Sequence, residues 1–176
     1  TGTRQGPETG EFRSFETFED FYSAFLMQLN HIIGMVLEEH NILIVIQREL
    51  YPDVLHSAFF EGALEAGRDA LNRKMKFENG SVVNVVGIVN TIDSLFAIKK
   101  LVFDDKKVSA EMLLNALNSD WEGFEDIRKL CLEAPKFGNN IDDIDCLGSR
   151  LWRDISKIVR TYNSAFGSKV LPTAIS

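Results

Sequence analysis

Residues 32–46 constrain the fold more than any other part of the sequence, because they leave a helical pattern almost no polar face. Apolar residues recur at helical spacing from Phe18 through Ile32 to Val36, and Thr17 with Asp20 three residues later forms a capping pattern. Residues 42–46 then read Ile-Leu-Ile-Val-Ile. A helix that is apolar on most sides is normally buried within something larger. We therefore expect a long helix that other parts of the protein must cover.

The rest of the pattern predicts a mainly α-helical segment of long buried helices with at most one or two short strands. Pro52 should end the long helix, Gly67 should end a short helix over residues 58–66, and the Val-rich residues 81–89 are typical of a strand. Asn90 or Thr91 could cap the next helix. Residues 1–14 are expected to be an irregular lead-in. Further helices are expected over residues 90–102, 109–117, 123–132 and 142–162.

Composition limits the classes of partner. With 176 residues, 45% of them hydrophobic, the chain can build one domain with a sizeable core. Its formal net charge of -7 argues against binding nucleic acid or anionic lipid, since either would need clustered Lys and Arg. We also expect no membrane span, because Ile46 is followed by Gln47, Arg48 and Glu49 before roughly 20 apolar residues are reached.

The chain ends and cysteines favour a cytoplasmic setting. No hydrophobic signal core is present near the first residue, which is Thr rather than Met, and this indicates a processed or excised chain. Two cysteines cannot form a disulfide framework. Cys131 lies between two leucines and is expected to pack. Cys146 follows three nearby aspartates, which should raise the pKa of its thiol and oppose a reactive thiolate.

Residue chemistry alone assigns no reaction. The histidines, His31, His40 and His56, show no ligand pair at metal-binding spacing, and Glu38-Glu39-His40 is ordinary for a helix, so we predict no metal site. No glycine pattern spells a dinucleotide or Walker loop. On these grounds the chain is a helical globular domain without an assigned role.

Two blocks nevertheless resemble a known family. Residues 93–103 read Asp-Ser-Leu-Phe-Ala-Ile-Lys-Lys-Leu-Val-Phe, and residues 134–140 read Ala-Pro-Lys-Phe-Gly-Asn-Asn. They are similar to segments of glycyl-radical enzymes, in the dehydratase, decarboxylase and lyase group related to pyruvate formate-lyase. Further similar blocks follow the same order and cover almost the whole chain: Gly6-Pro7, residues 15–24, Gln28-Leu29, Pro52, Ser57, residues 65–69, Gly87, Ala116-Leu117, residues 121–125, Arg128, Asp143 and Asp145.

The resemblance implies that the chain is part of a larger radical enzyme. In such enzymes a separate iron–sulfur, S-adenosylmethionine-dependent activase installs a glycyl radical, and this radical converts a cysteine to the thiyl that attacks the substrate. Both centres lie on loops inside a ten-strand α/β barrel wrapped by helices. A Gly-Cys-x-Glu loop is expected before this chain and an Arg-Val-x-Gly loop after it. Residues 1–176 are thus expected to be an internal segment with no catalytic residue, no bound cofactor and no activity alone.

The same resemblance implies the partners. They are the remainder of the polypeptide, the activase, a small-molecule substrate, and either a second copy in a homodimer or small accessory subunits. The setting would be the cytoplasm of an anaerobe.

Residues 72–79 bear on the substrate. Where dehydratases and the choline-type lyase usually show Gly-Gly-Ala-x-Tyr-Asn, this chain has Asn-Arg-Lys-Met-Lys-Phe-Glu-Asn. Phe77 stands where the family pattern has a tyrosine, so a phenolic hydroxyl is missing. If this segment borders the pocket, the loss favours an apolar, aryl substrate, as in arylacetate decarboxylation or addition of a hydrocarbon to fumarate. Phe77, Asn79 and His56 are the pocket candidates. The alternatives are that Phe77 only packs, that the enzyme is a diol or amino-alcohol dehydratase or lyase, or that the chain is a non-catalytic helical scaffold subunit.

Overall fold

The computed structural model describes residues 5–70 and 81–175 of the chain. Helices dominate these residues and a two-stranded sheet completes them, which confirms the predicted fold class. The elements in chain order are a 3-10 turn (Phe12–Ser14), α1 (Phe18–Leu50), α2 (Val54–Phe59), α3 (Ala63–Ala66), β1 (Val82–Val86), α4 (Ile88–Ile98), a π-helical turn (Lys99–Asp104), α5 (Ala110–Asn118), α6 (Glu125–Glu133), α7 (Asp142–Thr161) and β2 (Leu171–Ile175).

The predicted start of α1 is confirmed by its capping contacts. The hydroxyl of Thr17 accepts a hydrogen bond from the Asp20 amide at 3.2 Å and donates to the Asp20 carboxylate at 2.6 Å. This arrangement satisfies one of the amide groups that a helix start leaves unpaired.

Two predicted helix boundaries are wrong, and a glycine explains each. Residues 58–66 do not form one helix, because α2 starts earlier on the cap of Asp53, and Gly62 (φ 85°) separates it from α3. The next long helix, α4, begins at Ile88 rather than after Asn90 or Thr91. Its N-cap is Gly87 (φ 75°), a left-handed conformation that other residues rarely adopt.

The described residues divide into two compact units. The first comprises the described parts of residues 1–29, 85–155 and 174–176, and the second those of residues 30–84 and 156–173. The two long helices α1 and α7 each contribute residues to both units.

The core of the first unit comes from the apolar faces of α4 and α7, together with a cluster where α5, α6 and the π-helical turn pack. Four apolar residues of α7 are buried in this unit, at the spacing of one helix face. The buried side chains are Ile92, Leu95 and Phe96 from α4, Ile144, Leu147, Leu151 and Ile155 from α7, and Leu101, Val108, Leu113, Ala116 and Ile127 in the cluster.

Aromatic rings attach the start of α1 to the π-helical turn. The ring of Phe103 lies 6.1 Å from that of Phe18 and 6.0 Å from that of Phe21, measured between centroids, and Phe12 lies 5.1 Å from Phe21. Tilted and edge-on aromatic pairs at these distances are favourable beyond the area they bury.

Arg150 on α7 forms the main polar link to α1 within this unit. Its guanidinium donates to both carboxylate oxygens of Glu19, at 2.7 and 2.5 Å, and lies 4.3 Å from the centroid of the Tyr22 ring. Tyr22 is fully buried and its hydroxyl donates to Asp154 at 3.1 Å. Burial, with the Asp154 carboxylate, raises the pKa of Tyr22, while the hydrogen bond from Arg150 lowers the pKa of Glu19.

The second unit is joined by hydrogen bonds between segments that are distant in sequence. The Tyr162 hydroxyl lies 3.0 Å from Asn30 Oδ1, and it occupies the space next to Gly34, where a Cβ would lie 2.9 Å from it. Nε2 of His40 lies 3.1 Å from the hydroxyl of the buried Ser81. The Ser81 carbonyl accepts a hydrogen bond from the Leu171 amide at 2.9 Å, where β2 starts beside β1.

The second unit also exposes much of the apolar run that the sequence singled out. Exposed fractions are 61% for Ile42, 62% for Leu43 and 65% for Leu50, and they reach 90% for Phe59. Monomeric soluble proteins rarely leave large apolar patches in contact with water. We call this the exposed apolar surface; it comprises Ile32, Val36, Ile42, Leu43, Val45, Ile46, Leu50, Val54, Leu55 and Phe59.

The expectation that no segment approaches the requirements of a membrane span is wrong on length and composition. Helix α1 is long and apolar enough to cross a membrane, with a mean hydropathy of 1.3 over its most apolar window, of which 17% is buried. One such helix is a weak indication, because core helices of soluble proteins meet the same criterion. Most of this apolar window therefore stays exposed among the described residues.

Replacing Arg150 by Lys should loosen the first unit. Lysine keeps the charge but loses the bidentate hydrogen bonding to Glu19 and most of the stacking on the Tyr22 ring. After allowing for solvent screening, we expect a loss of about 1 kcal/mol of local stability. Hydrogen exchange read by mass spectrometry on the full native polypeptide should show faster exchange in peptides covering residues 18–26 and 147–155.

The neighbouring exposed Arg153→Lys is the control and should leave exchange unchanged.

The pKa of Glu19 is lowered in the folded state, so the contribution of Glu19 to stability is present above the unfolded carboxyl pKa and is lost as the pH falls through the folded value. The difference between Arg150→Lys and wild type should therefore shrink below about pH 4. Equal exchange in both proteins at neutral pH would contradict the assignment.

Candidate functional site

Of the three predicted pocket residues, the structure describes only His56. It lies on α2, where its amide donates to the Asp53 carboxylate at 3.0 Å and its Nδ1 lies 3.6 Å from the other Asp53 oxygen. The ring meets Phe60 edge-on at 5.6 Å, and 57% of the side chain is exposed. Phe77 and Asn79 lie outside the described residues. The role of all three in a substrate pocket stays a prediction.

Ser57 on α2 holds Asp69 and Ala70, the last described residues before residue 81. Its buried hydroxyl lies 2.5 Å from the Asp53 carbonyl and 2.8 Å from the Asp69 carboxylate, and it accepts a hydrogen bond from the Ala70 amide at 2.8 Å. The turn is shaped by Gly67 (φ 59°), which ends α3. The serine and the Gly-Arg-Asp block, singled out only by resemblance, thus meet in one hydrogen-bonded turn that extends to Ala70.

The two blocks that carried the family resemblance also meet in space. The Phe137 amide donates to Asp93 Oδ1 at 2.8 Å, although 44 residues separate them. The Phe137 ring packs over Gly148 of α7, where an added Cβ would lie 2.7 Å from Phe137 Cε2 and 3.1 Å from Ile92 Cδ1. We call this the Asp93–Phe137 junction. Its contacts are an amide, a carboxylate and one packed ring, and they hold α4, α7 and the 134–140 turn together.

Cys131 lies in a protected position. It is half-buried on α6, and the Lys136 ammonium donates to its carbonyl at 2.9 Å. Burial raises the pKa of the Cys131 thiol, opposed only in part by Lys136. A thiol with a raised pKa is a poor nucleophile at neutral pH. This accords with the packing role predicted for Cys131, whereas Cys146 is exposed on α7.

The first unit contains a groove that sequence reasoning missed. A cavity of about 410 Å³ lies between α4, α5 and α6. Its floor is apolar, and its polar lining consists of Asp93, Ser94, Arg128 and Lys136. Periodicity shows which helix faces are apolar but not which of them stay apart after folding, so no pattern could have indicated it. The main apolar lining residues are Ile98, Leu113, Leu117, Trp121, Cys131 and Leu132.

These features define the chain as a largely helical scaffold with a packed junction and an apolar groove. Within residues 5–70 and 81–175, no group of three or more His, Cys, Asp or Glu side chains is placed to hold a metal ion.

A sequence profile of the pyruvate formate lyase-like family matches residues 1–176, and the chain therefore belongs to this family. This confirms the glycyl-radical resemblance drawn from residues 93–103 and 134–140.

Individual relatives agree with the family assignment. The chain is 32% identical to an isethionate sulfite-lyase of Desulfovibrio desulfuricans over 92% of its own length and 19% of that enzyme. It is 25% identical to an indoleacetate decarboxylase of Tractidigestivibacter scatoligenes over 92% of its length and 21% of the decarboxylase. The crystal structure of hydroxyproline dehydratase from Clostridioides difficile superposes with a TM-score of 0.86 at 29% identity, covering 97% of this chain and 22% of the dehydratase. The chain thus spans about a fifth of the length of these relatives.

Replacing Gly148 by Ala should disrupt the Asp93–Phe137 junction. The new methyl group would overlap the Phe137 ring, and overpacking of this kind costs about 1–3 kcal/mol. Hydrogen exchange should accelerate at the Phe137 amide and along α7. Exposed Ser149→Ala is the control on the same helix and should change nothing. A second substitution, Phe137→Leu, should recover part of the loss because the two side chains share the same space. Unchanged exchange in Gly148→Ala would show that the junction is not tightly packed.

Proposed function

We propose that this chain is one segment of a longer glycyl-radical lyase or dehydratase that cleaves a bond in a small molecule. The observation that carries the proposal is the family match across residues 1–176, together with relatives about five times as long that superpose over nearly all of this chain. Those relatives and a further one are a sulfite-lyase, a dehydratase and a decarboxylase. The segment would serve as scaffold between the radical loops of an α/β barrel.

The exposed apolar surface supports this proposal over a self-standing scaffold subunit. A free protein of this size would present Leu43, Leu50 and Phe59 to water, with exposed fractions of 62%, 65% and 90%. Each large apolar side chain loses about 1.5–3 kcal/mol of stabilisation when left exposed instead of buried. The remainder of a longer polypeptide is the most direct cover for this surface. The membrane alternative rests on one apolar helix, which by itself is weak evidence.

The radical chemistry would come from residues outside this chain. When present, the glycyl radical supplies hydrogen-atom abstraction, and the family places it on a glycine loop. Neither Cys131, half-buried with a raised thiol pKa, nor Cys146, exposed on α7, has the sequence context of the radical cysteine. The proposal includes a separate iron–sulfur, S-adenosylmethionine-dependent activase, an anaerobic cytoplasmic setting, and a homodimer or small accessory subunits.

Two substrate classes follow from different observations. Residues 72–79, with Phe77 and without the usual glycines, favour an apolar aryl substrate, and the similarity to an indoleacetate decarboxylase supports the same class. The greater identity to an isethionate sulfite-lyase, and the close superposition on a hydroxyproline dehydratase, favour a small polar substrate instead. His56 and Asn79 remain candidate pocket residues in either case.

Replacing either cysteine of this chain by serine should leave turnover nearly unchanged. The reason is that neither thiol has the sequence context of the radical cysteine, so Cys131→Ser removes only packing and Cys146→Ser changes an exposed side chain. Turnover by the activated full-length enzyme under anaerobic conditions checks this, with the electron paramagnetic resonance signal of the radical as a control for activation. Loss of turnover of more than about tenfold in Cys131→Ser or Cys146→Ser, with the radical signal intact, would move catalysis into this segment.

The substrate classes are separated by product analysis of the activated full-length enzyme. The panel is isethionate, trans-4-hydroxy-L-proline, glycerol, choline, an arylacetate, and toluene with fumarate. The aryl proposal predicts turnover of the arylacetate or of toluene with fumarate, and a Phe77→Tyr variant should reduce it. Turnover confined to the polar compounds would refute the argument from Phe77. Absence of both a radical signal and any product after activation would refute the lyase proposal itself.

A further inference from the structure

We propose that the groove between α4, α5 and α6 is a binding site for a small amphipathic anion, with one carboxylate or sulfonate and an apolar tail. Its volume of about 410 Å³ falls within the roughly 300–1,000 Å³ of small-molecule sites. Such sites are characteristically apolar with a few polar groups at defined places, as here. The proposal does not depend on which substrate the enzyme takes.

The apolar part of the site includes an aromatic ring held by strained backbone. Asp120 and Trp121 adopt φ angles of 50° and 71°, in the left-handed region that bulky residues rarely enter. The Trp121 amide donates to the Ala116 carbonyl at 2.8 Å, which fixes the turn after α5. Strain of this kind persists only where surrounding contacts enforce it, and it is common at ligand-binding positions. Here it places the indole in the lining of the groove.

The charged part of the lining favours an anion. Arg128 and Lys136 bring two cations, against one carboxylate from Asp93. That carboxylate is already engaged, because Asp93 accepts the Phe137 amide at 2.8 Å. Lys136 uses one donor on the Cys131 carbonyl and keeps two.

Arg128 is the most available cation of the groove. Its guanidinium forms no hydrogen bond or ion pair with residues 5–70 and 81–175, so it is available for a carboxylate or sulfonate. The protein as a whole is acidic, with a formal net charge of -7, so a lining with an excess of cations runs against the general charge.

The first test measures binding of sodium octanoate to the full native polypeptide by isothermal titration calorimetry, with 1-octanol as the uncharged probe of the same chain length. Octanoate should bind more tightly than octanol. Arg128→Gln should weaken octanoate binding about tenfold, the usual effect of removing one charge-assisted hydrogen bond, and should not weaken octanol binding. Lys129→Gln, which removes the neighbouring cation outside the groove, is the matched control and should bind octanoate as wild type does.

The second test locates the bound octanoate and needs no variant. Cys131 lines the groove and Cys146 does not, so alkylation by N-ethylmaleimide, read residue by residue by mass spectrometry, distinguishes the two. Octanoate should slow alkylation of Cys131 and leave that of Cys146 unchanged.

Three results would overturn the proposal. The first is equal affinity for octanoate and octanol, and the second is unchanged octanoate affinity in a folded Arg128→Gln variant. The third is that millimolar octanoate does not slow the alkylation of Cys131, whether or not binding is detected. If Arg128→Gln does not fold, protection of Cys131 in the wild-type protein by octanoate but not by octanol decides the matter.

Discussion

Everything about this segment depends on covering the apolar residues of α1. A helix with isoleucine, leucine and valine on most of its surface is stable in water only when other chain elements pack against it. Within the second unit Ile33, Leu37 and Ile44 are buried, yet Ile42, Leu43 and Leu50 remain more than half exposed. The same property lets α1 meet the length and composition of a membrane span. The proposed longer polypeptide would account for both observations, since relatives about five times as long have additional chain with which to cover such a helix.

The start or end of a helix could be predicted from the sequence where one residue decides it. Thr17 caps α1 as predicted, since a hydroxyl placed before an apolar helix can satisfy a free amide of the first turn. Predictions failed where two local signals competed. The carboxylate of Asp53 started a helix earlier than the apolar pattern indicated, and Gly62 interrupted it, although glycine is tolerated within helices.

Long-range features could not be predicted at all. The bond between the Phe137 amide and Asp93 spans 44 residues, and the pairing of Leu171 with Ser81 brings β2 to β1. The groove is also of this kind, because it is the space that α4, α5 and α6 leave between them. Family resemblance identified the blocks around Asp93 and Phe137 without indicating what they do. The structure shows a backbone amide held by a carboxylate and a ring packed on Gly148, which explains why these residue types are needed there.

The central claim is that this chain is one part of a larger enzyme, and the intact mass of the native polypeptide tests it most directly. Native mass spectrometry of the protein purified from its source, followed by denaturing mass measurement of each component, gives the length of the continuous chain. The account predicts a single polypeptide several times heavier than the 19.9 kDa of this sequence, with a Gly-Cys-x-Glu loop upstream of residue 1. A native polypeptide of 19.9 kDa that has no partner and stays soluble would contradict it.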